Sequence, residues 1–173
     1  MNLNRTFPLL FIFSVLMSFS VKAELSIQIT QGIDNPIPIA VVPFSWEGSG
    51  VLDEDIGEIV TADLQQVGEF RALSPSNMLA LPREEREVYY RDWSVLAQDY
   101  LLVGKVQRAP GSELIQVQYE FFDINREIKL AGEVLTGTTS QLRDIGHEIS
   151  NVVFELVTGT RGAFTTQILY IVS

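Results

Sequence analysis

Few residues in this chain could do chemistry, and their spacing limits what that chemistry could be. His147 is the only histidine, and there is no cysteine among 173 residues. Thiol nucleophiles, zinc–thiolate sites and disulfides are therefore excluded. At about 100° per residue, His147 falls roughly 150° from the centre of the apolar stripe of its predicted helix, which predicts a surface histidine. A Ser-His-Asp set is compatible with the composition. However, Gly48-Ser49-Gly50 lacks the G-x-S-x-G frame of a nucleophile elbow, and with no lysine and no glycine-rich loop it is not a phosphate cradle. The sharpest acidic cluster is Asp53, Glu54, Asp55 and Glu58. Converging carboxylates could hold calcium or magnesium, but this spacing does not follow an EF-hand loop. Acids at a helix start meet the positive end of its dipole, which is the simpler reading. Residues 83–87 (REERE) read as a solvated helix start. No catalytic residue, metal or cofactor is expected. Two rivals stay open: a small hydrolase using Asp53, Asp55 and a third carboxylate, and a carrier for an apolar small molecule beneath the helices.

A different kind of site, made of backbone, is offered by Glu24, Leu25, Ser26, Ile27, Gln28, Ile29, Thr30 and Gln31. This stretch alternates apolar and polar residues and carries no Pro or Gly before Gly32. Such a segment can add as a strand to an exposed sheet edge on a partner. Backbone hydrogen bonds would supply affinity, and Leu25, Ile27 and Ile29 would fill pockets on one face. The same pattern also fits an ordinary first strand of the chain's own sheet.

The elements that must carry these residues follow from periodicity. Residues 37–44 are almost continuously apolar, which predicts a central strand covered on both faces. Residues 46–50 (WEGSG) read as a loop. Ile56, Ile59, Val60, Leu64 and Val67 recur at helical spacing, closed by Gly68. A short strand is predicted at 70–73, then a loop at 74–82. A shorter helix is predicted over 83–97, with Tyr89, Trp93, Leu96 and Ala97 on one face. Residues 100–107 and 114–123 are strands, and 127–135 returns after a turn at 123–126, giving a hairpin with one wet face. A last helix over 141–157 buries Leu142, Ile145, Ile149, Val152, Val153 and Leu156, with Gly159 as its C-terminal cap. Phe154 falls off that stripe, which fits ordinary core-edge packing; a partly exposed Phe there could instead mark a contact. Residues 163–172 read as a closing strand. The expected fold class is α/β, a mixed β-sheet of about five strands with two main helices packed on it.

The start of the chain has the layout of a cleavable export signal. A short positive region precedes the apolar run 7–19, and cleavage is expected between Ala23 and Glu24. A run of thirteen residues is too short to span a bilayer, which takes about 20. No membrane insertion is expected after cleavage. The predicted organisation is a signal at 1–23, an arm or first strand at 24–36, and one domain at 37–173. The chain holds 12 basic and 22 acidic residues, a net charge of −10. Without Arg5 and Lys22 the acidic excess grows. That balance repels nucleic acid and anionic lipid. The chain finishes in an apolar strand pattern, which suggests that a longer chain has been cut or that another domain once followed.

Several stretches together resemble the amino-terminal domain of TolB. They are PIAVVPF at 38–44 with Trp46 and Gly48; Asp55 and Gly57 entering the first helix; Trp93, Ser94 and Asp99; and Val103 to Val106. The clearest run from Gly146 and His147 through Val153 and Glu155, then Thr158, Gly159, Gly162 and Phe164, ending at Ile168 and Tyr170. Asn151 departs from the family, where an acid is more usual. The resemblance implies a mixed sheet backed by two helices and a periplasmic, non-catalytic role in the Tol-Pal system. It also implies that the mature N-terminus, residues 24–31, binds the C-terminal domain of TolA and can be docked or free. In the family a β-propeller that contacts the lipoprotein Pal follows this domain; these 173 residues are expected to stop where it would begin, so the resemblance does not carry Pal binding over to them.

Overall fold

The computed structural model describes residues 35–164. The expected export signal, the expected arm at 24–31 and nearly all of the predicted closing strand lie outside the described residues.

A six-stranded mixed sheet forms the centre, and its main path runs β3-β1-β4-β5-β6. β1 (Ile37–Val41) is parallel to β3 (Phe70–Ala72) on one side and to β4 (Tyr100–Arg108) on the other. Ile39 and Ala40 have no exposed surface, as a strand covered on both faces requires. Pro43 interrupts the run because it has no N–H to donate. The chain then rejoins β4 as a two-residue parallel strand, β2 (Ser45–Trp46), with the Glu47 amide donating to the Val106 carbonyl at 2.8 Å. The loop predicted from Trp46 therefore starts one residue later. β5 (Ile115–Asp123) and β6 (Ile128–Gly137) complete an antiparallel meander. Its ladder is bulged between Phe121 and Phe122, where Leu130 has no partner.

Two long helices cover one face. α1 (Ile56–Gln66) starts at Asp55, whose Oδ1 accepts the Glu58 N–H at 3.1 Å, and stops before Gly68 at φ 77°. Short α2 (Tyr90–Val95) lies on the other face. α3 (Leu142–Thr158) follows a capped turn in which Thr138 and Gln141 satisfy each other's amides, and it ends at Gly159, φ 72°. Ile56, Val60 and Leu64 of α1 and Leu142, Ile149 and Val153 of α3 share a core with Ile39, Leu102, Val117 and Phe121. The opposite sheet face, with Ala40, Val42, Leu101, Val103 and Phe122, is covered by buried Trp93 together with Leu73, Met78, Val88, Tyr90 and Leu96.

Three details of the predicted helices change. The helix expected over 83–97 shrinks to α2, preceded by a single 3-10 turn at Glu85–Glu87. The reason is tertiary: the acids of this segment are drawn to lysines on the sheet, and Tyr89 lies exposed. Leu156, in the last turn of its helix, and Val67, the C-terminal cap of α1, are also exposed, and Val152 is only half-buried. Phe154, expected at the edge of the core, is buried between Phe70 and Phe164, which removes the alternative of a partly exposed contact.

Candidate functional site

The segment with the strongest expectation of function, Glu24 to Gln31, is outside the described residues. What the structure places is the body that would present it, and there the polar residues with potential chemistry are largely committed to structural partners.

α1 and α3 pack closely because residue 146 has no side chain. A Cβ there would meet Ile59 Cγ2 at 2.7 Å. The next residue, His147, reaches across to α1, and its Nδ1 lies 2.7 Å from Oδ2 of Asp63. The pair is mostly buried, with Asp63 7% exposed. The predicted surface histidine is therefore a half-buried link between helices. The buried face of α3 is wider than the predicted stripe and takes in Gly146, Ser150 and Phe154, so His147 falls at its edge, where α1 covers it. Asp63 was missed. Its signal was a carboxylate directly before Leu64 on a buried helix, opposite the chain's only imidazole. An unpaired buried acid is costly, so a partner had to exist.

Beside this pair lies an open groove of about 750 Å³, lined by Val67, Phe154, Arg161 and Phe164 as well as Asp63 and His147. Phe154 packs against Phe70 at 6.1 Å and edge-on to Phe164 at 5.7 Å. The Phe164 amide donates to Asn151 Oδ1 at 3.1 Å. Gly162 fits against Asn151 only because it lacks a Cβ. These contacts fasten the chain after α3 back onto that helix.

The acidic cluster is similarly committed in part. Asp55 caps α1, and Glu54 forms a forked ion pair with Arg143 of α3 at 2.7–3.1 Å. Asp53 and Glu58 are exposed, and neither has a cationic partner among the described residues. Among those residues no group of three or more acids or histidines is placed to hold a metal ion.

The predicted solvated stretch at 83–87 is instead a charged fastening. Glu84 takes Lys105 of β4 at 3.1 Å, and its carboxyl is held below the usual range by that hydrogen bond. Glu85 takes Lys129 of β6, whose ammonium is held above its ordinary value chiefly by this bond, and Lys129 also reaches Glu120 of β5 at 3.4 Å. Arg83 closes on Glu87 at 3.1 Å.

The described residues contain no helix long and apolar enough to cross a membrane. The family model of the TolB amino-terminal domain matches residues 25–130. A Tol-Pal system protein TolB of Hahella chejuensis is 41% identical over 157 residues, 91% of this chain and 36% of that protein. The namesake from Alcanivorax borkumensis is 43% identical over 156 residues, 90% of this chain and 35% of that one. The chain thus spans about a third of the length of these curated relatives. Among solved structures, TolB from Acinetobacter baumannii superposes with a TM-score of 0.62 at 26% identity, over 75% of this chain and 30% of that one.

Proposed function

The chain belongs to the TolB amino-terminal domain family, and from that premise we propose that it is a non-catalytic periplasmic interaction module of the Tol-Pal system. It binds the C-terminal domain of TolA through residues 24–31 and supports outer-membrane integrity and constriction during division. The contact is strand addition: backbone amides and carbonyls of the arm extend a sheet of the partner, and Leu25, Ile27 and Ile29 seat on one face. A docked arm and a free arm are two states of one segment, and the partner selects the free one.

The observation that carries this reading is that the family match begins at Leu25, so the alternating arm belongs to the family's own domain. The body supports it by what its polar groups already do. Asp55 and Glu54 serve helix packing, which argues against a carboxylate hydrolase built on that cluster. Leu142, Ile149, Val153 and Phe121 are wholly buried in one core beneath the helices, which argues against an apolar carrier there.

The test is deletion of residues 24–32, with affinity for the TolA C-terminal domain measured by calorimetry and folding checked by circular dichroism. The expected loss is about 100-fold or more, which corresponds to roughly 2.7 kcal/mol. A folded, trimmed chain that binds with unchanged affinity refutes the assignment.

A further inference from the structure

The geometry points to a second contact surface: a groove beside Trp46 that docks a basic segment of a partner protein, a lysine or arginine flanked by apolar side chains. The groove holds about 460 Å³ between β2 and the start of α1. Phe44, Trp46 and Val106 line its base, and Val51, Asp53 and Glu58 stand at its rim.

Its aromatic wall is set in advance. The Trp46 indole N–H donates to the Gly50 carbonyl at 3.2 Å, and the Arg108 guanidinium sits 5.9 Å from the ring centroid. Gly48 lies so close that a Cβ there would stand 2.0 Å from the indole. An aromatic side chain held this way loses little freedom on binding. Beside it Val51 is 95% exposed, an apolar side chain with almost no cover of its own.

Charge selects the occupant. Arg108, the cation at the Trp46 ring, is drawn to Glu113 at 3.4 Å and does not line the groove; Asp55 is engaged as a cap and Glu54 by Arg143, but Asp53 and Glu58 are exposed and have no cationic partner among the described residues. A lysine or arginine can lay its alkyl stem on apolar surface while its charged head stays at a wet, acidic rim. A net charge of −10 adds long-range attraction for such a segment and disfavours acidic ones. All lining residues belong to the folded body, so the inference does not depend on the arm.

The test uses amide and indole NMR spectra of the chain titrated with acetyl-Leu-Lys-Leu-amide, its glutamate counterpart, and spermidine. The lysine peptide is expected to shift the Trp46 indole and the amides of residues 51–58. A combined D53N/E58Q change is expected to weaken that binding about fivefold, as two exposed charges would, and to leave the circular dichroism spectrum unchanged. Equal shifts with the glutamate peptide would overturn the inference. So would equal shifts with spermidine, which would mean charge attraction alone, or binding unaltered by D53N/E58Q.

Discussion

The two faces of the sheet are covered in opposite ways. On one face, two regular helices contribute rows of aliphatic side chains, and α1 and α3 interlock through Ile59 and Gly146. On the other, residues 73–99 form an irregular strap with one six-residue helix, anchored by a single large side chain, Trp93, 2% exposed. Around that anchor the strap is fastened by Glu84 and Glu85 to lysines on β4 and β6. The helix face distributes its stability over many contacts. The strap has one fully buried anchor, with Leu73, Met78, Val88, Tyr90 and Leu96 only partly buried beside it, and a charged fringe.

Trp93→Ala is expected to show this most strongly. Removing a buried indole costs roughly 3–5 kcal/mol. Hydrogen exchange should show residues 73–99 losing protection before α1 and α3. Equal loss on both faces would mean the strap is not anchored at one point. On the helix face, Gly146→Val pushes new atoms against Ile59, and overpacking of this kind costs about 1–3 kcal/mol. Denaturant melts should report it without selective exposure of the strap.

Tyr119 sharpens the helix face further. Burial, then Glu133 and Glu148, push its hydroxyl up to about 12. A folded pKa above the unfolded value near 10 gives stability that is complete below pH 10 and lost as pH rises toward 12. Tyr119→Phe should flatten that alkaline slope, seen in melting temperatures between pH 9 and 12. The smallest effect belongs to the fringe. Lys105→Met should lower Tm by on the order of 2–4 °C at neutral pH. Because Lys105 depresses the Glu84 carboxyl, this contribution exists above the unfolded glutamate pKa and vanishes as pH falls through the folded one. Variant and parent should therefore converge in acid.

Legibility in the sequence divides along the same line. α1, α3 and every long strand were readable because burial on one face or both imprints a period of 3.6 or 2, or an unbroken apolar run. The strap was not. Its apolar residues Tyr89, Trp93, Leu96 and Ala97 fit a helical face, yet Tyr89 is exposed, because pairing of Glu84 and Glu85 with distant lysines decides where the helix begins. Non-local ion pairs leave no local pattern. His147 shows the same gap: its angle on α3 was legible, whereas its partner Asp63 lies 84 residues away. Phe154 was legible only as core-edge packing, because the aromatics that cover it, Phe70 and Phe164, come from other segments.

Both faces are filled from within, which leaves recognition to backbone and rim. The most direct measurement is amide hydrogen exchange of residues 24–31 with and without the TolA C-terminal domain. Strand addition predicts new protection on alternating amides of that stretch, with the body unchanged. Protection appearing only within residues 35–164, with 24–31 exchanging as before, would contradict it.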